Sequence, residues 1–167
     1  MKIYNVSKDY IDNLSSIDSR VRWPKEDEHE RPYAGLIFEI NHLLYFAPLT
    51  HIVNLDHKDK IPLEWEKERY GSIDVLHMIP IPKGMVDQIL WEIDWATDIL
   101  DSDPWVYQYA EKICMQEKII NIPSNISKIL DKARKVYIRQ KYSPLYKELC
   151  CDFPKLEEYA LKYKKGI

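Results

Sequence analysis

The first third of the sequence contains side chains that could together cleave a phosphodiester bond. Arg31 precedes one apolar run. Thr50 ends a second apolar run and His51 follows it, and Asn41-His42 lies between the two runs. An imidazole can move a proton near neutral pH, and a hydroxyl and a cation can stabilise negative charge that develops on a phosphate. These groups suit the attack of an RNA 2′-hydroxyl on its neighbouring phosphorus. They are therefore candidate catalytic residues.

A β-hairpin would bring these candidates to one end of a rigid ribbon. Asn tolerates the left-handed backbone conformation that a two-residue turn requires, so Asn41-His42 predicts a tight turn between two strands. The residue numbers of two residues paired across this hairpin then sum to 83. This register places Tyr33 opposite Thr50 and Pro32 opposite His51.

The polar segment after the hairpin adds Lys58 and Lys60 as candidate cations that would stabilise the phosphate charge. Two alternatives stay open at this point. Thr and His are common at strand ends, where they serve solubility and turn geometry. A β-bulge would also shift the register and separate the candidate residues.

Charge is distributed unevenly along the 167 residues, whose formal net charge is only -3. Residues 1–111 carry 11 Lys or Arg against 21 Asp or Glu, whereas residues 112–147 carry 9 against 2, a net of +7. Residues 148–167 balance at 4 against 4. A localised basic surface suits a polyanion that binds in one place, because phosphates release counterions where cations cluster.

A helix predicted from about 126 to 141 concentrates this charge on one face. A cationic stripe lies on the face opposite its apolar stripe and consists of Lys128, Lys132, Lys135 and Arg139. No acid is expected to form ion pairs within this cationic stripe, so its four charges would repel one another and would bind a phosphate backbone favourably. Further candidate RNA contacts are Lys112, Lys118, Arg134, Lys141 and, for stacking on a base, Tyr33. The alternative is a solvated lysine-rich face.

Strand patterns occupy the first half of the chain and helical patterns the second. We predict one domain over residues 1–167 with an α+β fold, in which helices cover one side of an antiparallel sheet. The predicted strands are 2–6, 33–40, 43–49, 72–81 and 89–96. The predicted helices begin at Ser7, Pro62 (ending before Gly71), Asp103, Ser124 or Asn125, and Phe153.

Composition excludes several classes of protein and site. No run of 18 apolar residues predicts a membrane span, and the N-terminus lacks a signal-peptide pattern, which favours a cytoplasmic protein. Three cysteines without a C-x-x-C motif indicate reduced thiols rather than disulfides or zinc. Only four glycines occur, and none forms a phosphate-binding loop. We therefore expect neither a metal nor a cofactor.

Several segments resemble the ToxN/AbiQ family of endoribonuclease toxins, the protein components of type III toxin–antitoxin systems. They follow the family's order along nearly the whole chain. The matching segments are 3–11, 31–40, 45–50 (Tyr-Phe-Ala-Pro-Leu-Thr), 77–82, 150–153 and 156–158.

The resemblance implies a compact antiparallel sheet core related to that of the MazF/Kid toxins, flanked by helices. It also implies metal-independent cleavage of cellular messenger RNA that leaves a 2′,3′-cyclic phosphate. The inhibitor would be an RNA pseudoknot, which the toxin cuts from a repetitive precursor and with which it assembles into a closed hetero-oligomer of alternating protein and RNA.

By position, Thr50 matches the family's hydroxyl after the Pro-Leu pair, and Arg31 matches a cationic site before the first hairpin strand. His51 departs from the pattern, since many members carry Ser there. Either an imidazole has taken over the acid/base role, or Thr50 alone suffices.

Three rival functions remain open from the sequence. A MazF-like ribonuclease inhibited by a protein antitoxin would need an exposed apolar groove. A non-catalytic RNA-binding module would use the same basic helix but leave Thr50 and His51 idle. A structural protein would show only nonspecific affinity for RNA.

Overall fold

The computed structural model describes residues 1–21, 32–35, 37–50, 58–92 and 104–163. Its strands are β1 (Lys2–Val6), β2 (Tyr33–Gly35), β3 (Glu39–Ile40), β4 (Leu43–Thr50), β5 (Lys60–Trp65), β6 (Glu68–Asp74), β7 (Ile79–Pro82) and β8 (Leu90–Glu92). Its α-helices are α1 (Lys8–Ile17), α2 (Val86–Ile89), α3 (Pro104–Ile120), α4 (Pro123–Tyr142), α5 (Pro144–Leu149) and α6 (Phe153–Lys162). Val75–His77 and Lys83–Met85 form short 3₁₀ helices.

The sheet is organised around β4. The strands follow the order β5-β6-β4-β2-β1-β8, while β3 and β7 also pair with β4, and every pairing is antiparallel. All eight residues of β4 are buried, as expected for a strand with neighbours on both edges and packing on both faces. The predicted combination of an antiparallel sheet and helices is confirmed.

The first hairpin has the predicted turn but a different register at its open end. Asn41 and His42 have φ of 51° and 62°, and Ile40 lies opposite Leu43, as the sum of 83 requires. Tyr33 lies opposite Pro48 rather than Thr50. The residue numbers of paired positions sum to 81 between β2 and β4 and to 83 between β3 and β4, so the register differs by two residues between the two strands. The prediction that placed Tyr33 opposite Thr50 is therefore wrong.

A second hairpin replaces the helix that we predicted from Pro62. Strands β5 and β6 are joined by a turn at Glu66 and Lys67, whose φ values are 48° and 69°. Ile61 and Leu63 are buried while their neighbours are half-buried or exposed, the alternation of a strand with one face on the core. The turn contains neither Gly nor Asn, which explains why its sequence does not announce a hairpin.

The C-terminal third is helical, with boundaries that differ slightly from prediction. Helix α4 begins at Pro123, directly after Ile122, so neither Ser124 nor Asn125 is its cap. Proline in the first turn of a helix is favourable because the N–H it lacks would have no partner there. The short helix α5 was not predicted.

An aromatic cluster holds α4 and α6 against β4. The Tyr137 and Phe153 rings stack 5.6 Å apart, and each meets the Tyr45 ring edge to face. The hydroxyls of Tyr45 and Tyr137 both donate to Glu157 Oε1 at 2.6 Å. One face of α4 is thereby fixed on the core, which leaves its opposite face in solvent.

Two further observations concern disulfide bonds and membrane-spanning helices. Cys114, Cys150 and Cys151 are free thiols, and burial raises the pKa of Cys150 to about 12, which keeps its thiol protonated. Among the described residues, no helix is both long enough and apolar enough to cross a bilayer.

Candidate functional site

Thr50, the last residue of β4, lies at a small surface pocket. Its side chain is largely buried, with 8% of the residue exposed, and the residue pairs with Ser72 of β6. The pocket is small, with a volume of about 30 Å³. The residues that line it are Pro32, Leu49, Thr50, Tyr109, Lys112, Ile113 and Gln116.

Three elements build this pocket. The end of β4 lies beside the residue that precedes β2, where the Leu49 N–H donates to the Pro32 carbonyl at 2.8 Å. Helix α3 closes the other side and contributes Lys112 and Gln116 from successive turns of one helix face. The pocket is therefore lined by Thr50 on one side and by Lys112 on the other.

The structure brings together two of the predicted site residues. Thr50 was predicted as catalytic and Lys112 as an RNA contact, and both line the pocket. Arg31 and His51 lie outside the described residues, although each is the chain neighbour of a residue that lines it. Lys58 and Lys60 do not line the pocket: Lys58 is exposed in the turn before β5, and Lys60 pairs with Asp74.

Tyr33 is not available for stacking on a base. It is only 1% exposed and belongs to the hydrophobic core, where β2 lies between β1 and β4. The prediction of an RNA contact at Tyr33 is therefore wrong. The physical reason is that β1 pairs with the second edge of β2, so that Tyr33 lies inside the sheet rather than at an open end of a hairpin.

Two cations of the α4 stripe hold the turn before β5. Lys132 donates to the Lys58 carbonyl. Arg139 donates to the Tyr146 hydroxyl at 2.9 Å, and Tyr146 donates in turn to the buried carboxylate of Asp59. Burial lowers the pKa of Lys132, and the nearby Lys128 adds to this, although Asp59 acts in the opposite direction. Both stripe cations thus have structural partners within the protein.

The stripe also contains an acid, contrary to the prediction. Asp131 lies one turn before Lys135, and their charged atoms are 2.6 Å apart on the exposed surface. This spacing allows an ion pair within a helix, so Lys135 is already partly compensated. Among the described residues, no ion pair involves Lys128 or Arg134, both of which are exposed.

The remaining predicted RNA contacts lie on α3 and at the end of α4. Lys118 is exposed near the C-terminal end of α3, and Lys141 lies 4.7 Å from the centroid of the Tyr137 ring. Such a cation–π contact leaves an exposed ammonium group able to meet a phosphate.

Sequence reasoning missed an exposed aromatic on α4. Tyr142 is 80% exposed, and Ile138, one turn earlier, is 56% exposed. Arg134 and Lys141 are the helical neighbours of Ile138 on this side of α4. The signal was available, because Ile138 and Tyr142 fall outside the apolar stripe that faces the core.

Comparison with known proteins agrees on one family. The family model described as Toxin ToxN, type III toxin-antitoxin system, matches residues 2–161. Endoribonuclease ToxN of Bacillus thuringiensis subsp. kurstaki is 30% identical over 174 residues, which cover 98% of this chain and 84% of that protein.

Solved structures agree with this assignment. One, of a type III toxin selectively inhibited by a non-coding RNA pseudoknot, has a TM-score of 0.84 at 31% identity and covers 99% of this chain and 98% of that chain. AbiQ, a lactococcal anti-phage endoribonuclease, has a TM-score of 0.72 at 24% identity, with coverage of 97% and 96%. The likeness to AbiQ is one of fold.

Proposed function

Because the chain belongs to the ToxN family of type III toxin–antitoxin toxins, we propose that it is an endoribonuclease whose active site is the Thr50 pocket. The observation that carries this proposal is that Thr50, Lys112 and Pro32 line one pocket. Thr50 is the chain neighbour of His51, and Pro32 is the chain neighbour of Arg31. In this proposal the Thr50 hydroxyl donates a hydrogen bond to a phosphate oxygen, and the Lys112 ammonium group stabilises its negative charge.

The proposed reaction needs no metal and no cofactor. The RNA 2′-oxygen forms a bond to phosphorus while the bond from phosphorus to the 5′-oxygen breaks, which leaves a 2′,3′-cyclic phosphate and a 5′-hydroxyl. His51 accepts the 2′-hydroxyl proton or protonates the leaving 5′-oxygen, since its intrinsic pKa suits both roles, and water carries out the other proton transfer. Thr50 donates a hydrogen bond to a phosphate oxygen, and Lys112 with Arg31 stabilises its growing negative charge.

Lys58 and Lys60 have a less direct role in this proposal. Neither lines the pocket, so we assign them to the RNA backbone on either side of the scissile phosphate. Such contacts would position the substrate rather than act on the reacting atoms.

The proposed partners are RNA molecules in the cytoplasm. Cellular messenger RNA is the substrate, and an RNA pseudoknot is the antitoxin, as in the related toxin whose structure is 31% identical. We propose that the toxin processes this antitoxin from a repetitive precursor and assembles with it into a closed hetero-oligomer, which supports defence against phage by abortive infection. We also propose that the sheet core is related to that of the MazF/Kid toxins.

The exposed side of α4 is the proposed antitoxin-binding surface, with Lys118 of α3 as an additional contact. It comprises Lys128, Arg134, Lys135, Ile138, Lys141 and Tyr142. Lys132 and Arg139 stand at its edge, bound to the turn before β5, and support it from there. A positively charged surface with an exposed aromatic suits RNA, because phosphates meet the cations and an unpaired base stacks on the ring.

Two substitutions on this surface are expected to weaken RNA binding in different ways. Arg134→Ala should reduce the slope of log K against log salt concentration by about one, because it removes one phosphate contact. Tyr142→Ala should weaken affinity about ten-fold without changing that slope, because stacking releases no counterions. Binding titrations at several salt concentrations measure both effects. Leu161→Ala, which alters an exposed apolar residue of α6, is the matched control.

Cleavage of RNA in EDTA tests the proposed function. Purified protein incubated with messenger RNA in EDTA is expected to cut at defined sites and leave cyclic phosphate ends. Intact RNA combined with strongly salt-dependent binding would instead indicate a non-catalytic RNA-binding module. Co-purification of a protein, rather than RNA, would favour the MazF-like alternative.

A further inference from the structure

Gln116 is a buried polar residue of α3 that the proposed chemistry does not use. It is only 2% exposed and lines the pocket on the same helix face as Lys112. Its amide Nε2 donates to the Tyr70 carbonyl at 2.6 Å and lies 3.5 Å from the Thr50 carbonyl. One amide group thus reaches the main chains of both β6 and β4 beside the pocket.

Gly71 makes this bridge possible. A Cβ atom at position 71 would lie 2.1 Å from the Thr50 carbonyl oxygen and 2.5 Å from Gln116 Nε2. The missing side chain therefore leaves the space in which β4, β6 and α3 approach one another. A buried amide with partners on two strands restricts the relative movement of those strands, because breaking either contact takes a hydrogen-bond partner from the buried Gln116 amide.

We propose that Gln116 is a positioning residue for the reaction: through its amide it holds the main chain at Thr50, so that the Thr50 hydroxyl faces the phosphate. The inference rests on the proposed function, since it assigns the Thr50 hydroxyl to the reaction. Gln116 acts through the Thr50 main chain and does not itself touch the reacting atoms. Catalysis is sensitive to such support, because small displacements of a reacting group cost large factors in rate.

Replacement of Gln116 by Met tests the inference, because Met has a similar length and shape but cannot donate a hydrogen bond. With an RNA substrate that the parental protein cuts, Gln116→Met is expected to lower kcat about ten-fold or more while KM stays within about two-fold. Gln116→Leu, which also lacks a hydrogen-bond donor, should show the same division between kcat and KM. Assays well below the melting temperature of each variant separate this effect from unfolding.

Gln140→Met is the matched control. Gln140 is a buried glutamine of α4, 4% exposed, and does not line the pocket. Its replacement should leave kcat at the parental value. A parental kcat in both Gln116 variants, with only a lower melting temperature, would overturn the positioning role. Absence of cleavage by the parental protein would instead contradict the proposed function and so is a separate outcome.

Discussion

Thr50→Ala is expected to lower kcat for RNA cleavage by about 10²-fold to 10³-fold, the range measured when one hydrogen-bond donor to a developing negative charge is removed. Affinity for uncleaved RNA should change by less than about two-fold, because most binding energy comes from phosphate contacts elsewhere. Single-turnover cleavage and equilibrium binding of the same RNA measure the two quantities separately.

Two further variants define the role of the Thr50 hydroxyl. Thr50→Ser keeps the hydroxyl and should retain most activity. Ser72→Ala removes a hydroxyl from the residue paired with Thr50, one that has no hydrogen-bond partner among the described residues and does not line the pocket. It should cleave at the parental rate. Equal losses in Thr50→Ala and Ser72→Ala would attribute the effect to the sheet rather than to the pocket.

The same comparison extends to Arg31 and His51. Arg31→Ala and His51→Ala should each reduce cleavage far more than RNA affinity, because both are assigned to the scissile phosphate rather than to the antitoxin surface. Toxicity in cells should fall with the cleavage rate. If both variants stayed toxic and cut RNA at the parental rate, neither residue would belong to the active site.

Gly71→Ala is expected to destabilise the protein by about 3 kcal/mol, which corresponds to a fall in melting temperature of about 6–12 °C for a chain of this size. The backbone at Gly71 has a φ of +124°, a conformation that a side chain disfavours. The added methyl would also collide with the Thr50 carbonyl at 2.1 Å, so β4 and β6 must separate. Thermal unfolding measures the stability, and cleavage should fall with it.

Gly84→Ala provides the control for this substitution. No heavy atom lies within 4 Å of the Cβ that would be added there. The φ angle of Gly84 is not in the left-handed region, so a side chain adds no backbone strain. The melting temperature should therefore stay within about 2 °C of the parental value. A similar loss in both glycine variants would show that the close approach of β6 to Thr50 is not what makes Gly71 necessary.

The sequence predicted those parts of the fold that depend on local patterns. Strand β1 and helices α1, α3, α4 and α6 follow from periodicity and from proline or capping residues, and the Asn41-His42 turn follows from its tolerance of positive φ. The Glu66-Lys67 turn was missed because its residues carry no turn signal. Its conformation is imposed by the pairing of β5 with β6, which is a long-range effect.

The site was only partly accessible to the same reasoning. Thr50 and Lys112 were both identified, but their proximity depends on α3 crossing the ends of β4 and β6, which no spacing in the sequence specifies. Tyr33 lies in the core because β2 pairs with β1 as well as with β4, a long-range contact that the hairpin pattern does not specify. Gln116 carries no signal in its residue type, since its importance comes from the two carbonyls that it meets.

Cleavage of a single modified RNA tests the central chemistry most directly. An oligonucleotide containing one preferred site is compared with a copy that has a single 2′-deoxy nucleotide on the 5′ side of the scissile phosphate, both in EDTA. We predict that the protein cuts the first to a 2′,3′-cyclic phosphate and leaves the second intact while binding both equally. Cutting of the deoxy copy at the same phosphate would contradict attack by the sugar hydroxyl.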